Sequence, residues 1–356
     1  MTRNDLISRI LALIIVSLMF VAVFVYGYVV HGQRPLAVNP PDGSAFLFSK
    51  MLIALVAMLL TLYALRSSFM RLRNLEMSLF AMFCMAASAM GVVATTYLSI
   101  FQPVYLNGMI QELGAVAVLT ELCFAIALVP LVAATYLLHK KRLGAVLGVP
   151  GGLLGVGLCL AVFLITMEEI SWGQHLFGWG TPEAFGGNIQ GETNFHNFYT
   201  HRFELAFYTA ASTAFIILPA LWPIGRAGAF SGVDFYVPPA WFGLVFMPVS
   251  GLLYNEWNAL PQEFLVFLGF TCAGIIAYRM REILDRTISC AMVGLVLVAQ
   301  TLILLFASGL PEGYEVSEIR ELYIAVAVLS YAEMLRRKTA TDRVESKSEG
   351  RNLKPV

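Results

Sequence analysis

Charge is what this chain has least of. Asp, Glu, Lys and Arg make up 13% of its 356 residues, against about 25% in an ordinary soluble domain. That shortage excludes a water-exposed surface over most of the chain. It also excludes nucleic-acid binding, because no basic face exists beyond a short tail. Cysteine is sparse as well. Cys84, Cys123, Cys159, Cys272 and Cys290 stand singly in apolar runs, with no CxxC and no zinc spacing, and read as small buried hydrophobes. An apolar–polar alternation in segments of about ten residues is missing, which argues against a membrane β-barrel.

Apolar length is what the chain has in excess. It is 58% hydrophobic, and the apolar residues fall in runs of about 18 to 25, the length that crosses a ~30 Å hydrocarbon core as helix. With no water in lipid, only helices or closed barrels satisfy their own backbone. The expected fold is therefore all-α, a polytopic transmembrane helical bundle. About ten spans are expected by this length rule, over residues 10–30, 46–65, 77–100, 114–138, 144–168, 203–224, 235–254, 262–279, 287–308 and 318–335. The first follows Arg3 and Arg9 and is long for a cleaved leader, so it reads as a retained signal anchor. Gly144, Gly148, Gly152 and Gly155 suggest a close packing face on the fifth, with a kink at Pro150. Pro238, Pro239 and Pro248 interrupt the seventh.

Charge then orients the bundle. Cytoplasmic loops collect Lys and Arg, and an inside amino terminus places every basic residue there except Arg34, Lys50, Arg202 and Arg320. Both termini are expected in the cytoplasm, with the bundle in the cell (inner) membrane. Residues 1–337 read as one transmembrane domain and 338–356 as a disordered polar tail. The acids gather on the opposite, extracytoplasmic side, and so do His31, His175, His196 and His201. The longest outer loop, 171–202, joins helices five and six. Its Trp172, Phe177, Trp179, Phe185, Phe195 and Phe198 point to a folded cap.

The outer acids differ in meaning. Glu204, Glu263, Glu318 and Glu321 sit in first turns of inward-running helices, where the dipole favours anions. Glu168 and Glu169 sit at the carboxyl end of the fifth helix, where it disfavours them, and repel each other. Ionisable residues at a bilayer are functional candidates. The pair calls for compensation by a metal, by Arg202 or Arg320, or by a shared proton. Glu256, after the seventh helix, poses the same problem more weakly. If the fifth helix continues, Glu168, Ser171, Trp172 and His175 share a face; Ser171 with His175 as base lacks a nucleophile-elbow pattern. Glu192 and His196 are four apart, as are Asn197 and His201. Carboxylate and imidazole suit a divalent metal, for which Glu168, Glu169 and His196 are the candidate ligands.

The run Glu168-Glu169-Ile-Ser-Trp-Gly-Gln174, then Thr181-Pro182-Glu183, then Asn188-Ile-Gln190-Gly-Glu192-Thr-Asn194-Phe-His196-Asn197 resembles the signature of a family of bacterial polytopic membrane proteins of unknown activity. The resemblance covers about 30 residues and lends no reaction. The family pattern often has arginine after Gln174 where this chain has His175, which weakens His175 as an essential group.

These readings converge on a membrane-embedded enzyme, a hydrolase or group transferase working by acid–base or metal-assisted chemistry on a lipid or lipid-linked substrate at the outer face. Glu168, Glu169, Glu192 and His196 are the expected catalytic residues. Trp172, Gln174, Asn197, His201, Glu256 and Arg320 are the expected substrate contacts. Asp42 would be the first-loop acid of a lipid-linked sugar transferase. The alternatives are an ion-coupled transporter using Glu121 and the broken seventh helix, or a non-catalytic envelope assembly protein.

Overall fold

A computed structural model describes all residues except 1–2, 33–40, 42, 70–74, 112–113, 189–190, 223–230, 311–314 and 350–356. Asp42 and the side chains of His31 and His175 thus lie outside the described residues. The helices in chain order are α1 (Arg3–His31), α2 (Ala45–Phe69), α3 (Leu79–Phe101), α4 (Pro103–Ile110), α5 (Ala115–Lys141), α6 (Gly151–Glu169), α7 (Gln174–Phe177), α8 (Thr200–Ser212), α9 (Leu218–Leu221), α10 (Phe242–Val245), α11 (Leu260–Tyr278), α12 (Ile283–Phe306) and α13 (Glu315–Glu349). Among the described residues there is no strand. Local chemistry sets several boundaries. The Ser78 hydroxyl accepts from the Ala81 amide and caps α3, while Pro103 and Pro261 occupy first-turn positions whose amide needs no helical partner.

Eight stretches are long and apolar enough to cross a membrane. Large apolar side chains such as Leu18, Leu79, Phe83, Val129 and Leu153 face outward along them. In water such a surface would aggregate; in hydrocarbon it is solvated. The chain is a multi-pass membrane protein on these grounds. The α11 span is the most enclosed, with 61% of its apolar window buried, against 17% for α1.

The chain divides into two compact units. The first comprises Met1–Gly114, Thr200–Ile224 and Pro238–Tyr323; the second comprises Ala115–Tyr199, Gly225–Val237 and Ile324–Val356. In the first, α2 packs on α1 and α11, and α12 packs on α3 and α11. In the second, α5 lies against α6. A Cβ on Gly152 would sit 2.8 Å from the His139 side chain, and one on Gly155 would sit 2.6 Å from the Thr135 hydroxyl. The expected small-residue contact thus exists, carried by these two glycines. Gly144 and Gly148 instead take positive φ in the turn before α6, and Pro150 precedes the first helical residue instead of kinking the helix.

Two other elements depart from expectation. The polar segment after 337 continues α13 as far as Glu349. Glu333 binds both Arg336 and Arg337 at i+3 and i+4, the spacing that supports a helix through polar sequence.

The seventh span is the larger departure. In place of one helix, residues 242–258 form α10, 3-10 turns at Met247–Val249 and Asn255–Asn258, and irregular backbone between them. Nearly every side chain there is buried. Buried backbone without a helical ladder needs other partners, and side chains of the first unit supply them. Ser88 donates to the Val245 carbonyl at 2.6 Å. Arg320 donates to the Val249 carbonyl through Nε and Nη2. Lys50 donates to the Asn258 carbonyl at 2.6 Å. The Gln300 amide clamps Leu253 on both sides, donating to its carbonyl at 2.8 Å and accepting from its amide at 2.6 Å. The preceding Leu252 has φ of 59°, a left-handed conformation costly for a side chain with a Cβ.

Replacing Gln300 with leucine strands the Leu253 amide and carbonyl, at about 2–3 kcal/mol for the two groups. The expected result is a thermal unfolding midpoint lowered by several degrees in detergent. A midpoint within about 1 °C of the parent would contradict the clamp.

Candidate functional site

The expected site residues fall into two constellations, one in each unit. The second unit holds the cap. After Glu169 the helix does not continue. Ser171, Trp172 and Gly173 take φ of 46°, 55° and 91°, a left-handed turn that reverses the chain into the four-residue α7. Glu168, Ser171, Trp172 and His175 therefore do not line one helix. Glu168 and Trp172 still meet, because the turn swings the indole back: Trp172 Nε1 donates to Glu168 Oε1 at 2.8 Å. Glu168 Oε2 accepts the amides of Phe195 and His196 at 2.7 and 3.0 Å and lies 3.4 Å from His196 Nδ1. The unfavourable position at a helix carboxyl end is thus offset, for Glu168, by N–H donors from the returning cap. Glu169 is half-buried.

Glu192 closes the interior of the cap. It is 8% exposed and takes three donors on Oε2, from Ser171 Oγ at 2.8 Å, Asn194 Nδ2 at 2.6 Å and Asn197 Nδ2 at 3.1 Å. Asn188 donates to the Glu192 carbonyl and accepts its amide. Gln174 donates to Thr181 and accepts from the Thr193 amide. The chain between Glu192 and His196 is not helical, so that pair is not set on one face; His196 turns to Glu168. Ser171 is fully buried and bonded to Glu192, a geometry that holds the turn and offers no exposed nucleophile. Phe185 packs on Phe195 and Phe198 with centroids 5.2 and 5.9 Å away, which gives the cap its own small core.

Removing one Glu168 oxygen tests this account. In Glu168→Gln the amide NH2 faces donors, so at least one hydrogen bond to a charged acceptor is lost at this half-buried side chain, a loss of about 1.5 kcal/mol, the low end for charged acceptors. Amide exchange at Phe195 and His196 is expected to accelerate by about tenfold, read by hydrogen–deuterium exchange. Unchanged protection would contradict the stapling role.

The first unit holds the other constellation. The Arg320 side chain is fully buried. Its Nη1 meets Glu256 Oε1 at 3.2 Å, its Nη2 meets Gln262 Oε1 at 3.2 Å, and its guanidinium lies 3.9 Å from the Tyr208 ring centroid. Tyr208 Oη donates to Glu321 Oε1 at 2.7 Å. One and two turns earlier on α8 are Glu204 and His201, with His201 Nδ1 3.5 Å from Glu204 Oε2. His201, Glu204, Leu205, Tyr208, Glu256, Ala259 and Gln262 line a partly open cavity of about 10 Å³, on the scale of one water centre. Burial pushes the Glu256 carboxyl above its usual range, Arg320 opposes the shift, and the nearby Glu204 charge adds to it.

No protein-family model, no curated protein and no solved structure matches this chain. The geometry stands by itself.

It brings together only some of the expected groups. His201, Glu256 and Arg320 meet in the first unit; Glu168, Trp172, Gln174, Glu192, His196 and Asn197 belong to the second. No group of three His, Cys, Asp or Glu side chains among the described residues is placed to hold a metal ion. Of the expected metal set, Glu168 and His196 approach each other. Sequence reasoning assigned Glu204 and Glu321 to helix starts, yet both join the Arg320 cluster through His201 and Tyr208. It gave no role to Gln262 or Tyr208. One signal was available: His201, Glu204, Leu205 and Tyr208 recur at helical spacing, which puts them on one face of α8.

Proposed function

We propose that this chain is a membrane-embedded enzyme that carries out acid–base hydrolysis or group transfer on a lipid or lipid-linked substrate, with its site at the His201–Glu204–Glu256 cavity. The observation that carries the reading is that cavity. It is sized for one oxygen atom and is lined by two carboxylates and an imidazole. The cap carboxylates are less suited to chemistry, since Glu168 and Glu192 already accept several donors each. They hold the cap shut in this reading.

The two cavity acids divide the work. Glu204, paired with His201, is the general base. Glu256, paired with Arg320 in the resting protein, takes up a proton before the reaction, as its burial favours, and is the general acid. In hydrolysis a water O–H bond breaks and its proton passes to Glu204. The oxygen bonds to the electrophilic centre, and the leaving group departs with the proton of Glu256. In group transfer, a substrate hydroxyl replaces the water. Arg320, enclosed by Val249, Glu256 and Gln262, positions Glu256 and does not reach a substrate. In this reading the chain crosses the cell membrane ten times, the seventh through the irregular segment, with both termini inside and the cavity at the extracytoplasmic face, which the charge pattern of the loops supports. The signature between Glu168 and Asn197 supports membership of the uncharacterised bacterial family it resembles.

Ion-coupled transport is the second reading. Buried Glu256 and half-buried Glu204 and Glu321 cluster near the Arg320 guanidinium, and the irregular segment 242–258 resembles the broken helices at carrier sites. Reconstitution separates the two. The enzyme converts lipid in detergent, with no gradient; the carrier moves protons across sealed vesicles and leaves every lipid unchanged.

A further inference from the structure

The donors and acceptors around this cavity select the atom it holds. Gln262 is 2% exposed. Its Oε1 accepts from Arg320 Nη2 at 3.2 Å, which fixes the orientation of the amide, since a guanidinium has only donors to offer. The Nε2 group therefore points elsewhere, and it is buried with no hydrogen-bond partner. Gln262 lines the cavity together with Glu204 and Glu256. Tyr208 contributes no second donor there, because its hydroxyl proton is committed to Glu321.

The His201 imidazole also lines the cavity, with its Nδ1 turned to Glu204 Oε2 at 3.5 Å, so a guest atom meets the Gln262 N–H donor, that imidazole and two carboxylates. An ammonium group has protons for the carboxylates and no lone pair for the amide. A metal cation would face the amide N–H at close range. A phosphate or carboxylate oxygen accepts from the amide and is repelled by Glu204 and Glu256. A hydroxyl oxygen meets both demands, accepting from Gln262 Nε2 and donating to a carboxylate.

We infer that the cavity is a hydroxyl site, and that the enzyme's substrate presents a neutral alcohol there, as a glycerol, polyol or sugar headgroup does. The inference rests on the enzymatic reading above. Water shares the same hydrogen-bonding chemistry, so the test must tell a headgroup hydroxyl from a water.

The full chain, purified in detergent, is mixed with equal amounts of phosphatidylglycerol, phosphatidylethanolamine and phosphatidic acid carrying the same acyl chains. Native mass spectrometry then reads the retained lipid. The first two share a phosphodiester and differ in hydroxyl against ammonium; the third has neither. The expected result is phosphatidylglycerol retained about tenfold over the others, the effect of one well-made hydrogen bond. In Gln262→Glu the oxygen facing Arg320 remains and the donor is lost, so the preference falls to near unity. Equal retention of all three lipids by the wild type means that only water occupies the cavity and overturns the inference, whether or not the variant folds. Preferential retention of phosphatidylethanolamine or phosphatidic acid also overturns it. Retention of phosphatidylglycerol without turnover of any lipid would uphold the hydroxyl site and overturn the enzymatic reading. Turnover of phosphatidylethanolamine without the hydroxyl preference would do the reverse.

Discussion

Replacing Arg320 with methionine is expected to destabilise the protein by about 3–5 kcal/mol, the usual consequence of removing one partner from a buried ion pair. Two losses coincide. Glu256, 3% exposed, is left without its guanidinium, and the Val249 carbonyl loses both of its donors. The midpoint of thermal unfolding in detergent should fall on the order of 10 °C. Methionine keeps much of the apolar stem volume, so packing over Tyr208 suffers less than charge. The double variant Arg320→Met with Glu256→Gln should therefore recover part of the loss, because a neutral amide costs less to bury than an unpaired carboxylate. Equal melting of the single variant and the parent would contradict the buried pair. A double variant no better than the single one would shift the cause from charge to packing.

Glu204→Gln is expected to lower turnover of a lipid or lipid-linked substrate by about 10²- to 10⁴-fold, the range for loss of a positioned general base. The substitution is nearly isosteric at a half-buried site, so the fold should survive with a melting midpoint close to the parent. Headgroup release from a reconstituted lipid extract, followed by mass spectrometry, is the measurement. A variant as active as the parent would remove Glu204 from the chemistry. Glu256→Gln separates the two acids further: a leaving group that needs no proton should restore its activity and leave Glu204→Gln inactive.

Much of the architecture was legible because hydropathy is a direct physical signal in a membrane. The runs that became α1, α2, α3, α6, α11 and α12 follow from length and composition alone. The seventh span was not legible as structure. Its apolar composition over 235–254 satisfies a length rule, yet its backbone is held by Ser88, Gln300, Arg320 and Lys50, each far away in sequence. Pro248 marked the interruption without revealing what satisfied the backbone there.

The candidate site was legible in part for the same reason. Glu168 stood out because a helix dipole disfavours it, and its partners, Trp172 and the amides of Phe195 and His196, lie within the very motif that carries the family resemblance. That motif reads as the hydrogen-bond network of the cap. The Arg320 cluster left a fainter trace. Arg320 broke the positive-inside pattern, and Glu256 sat at the wrong end of an expected helix, but their meeting depends on the irregular turn at Asn255–Asn258, which no local pattern announces. Glu204 and Glu321 looked like ordinary first-turn acids because periodicity on one helix carries no information about what another helix brings to it.

Turnover in water enriched in ¹⁸O tests the central claim most directly. The reconstituted full chain is incubated with a lipid extract, and the products are weighed. Hydrolysis at the cavity predicts a released headgroup or lipid carrying one ¹⁸O atom, formed by the wild type and not by Glu204→Gln. Group transfer to a substrate hydroxyl predicts an unlabelled product with the same dependence on Glu204. Absence of any product, labelled or unlabelled, or its equal formation by Glu204→Gln, would contradict the account.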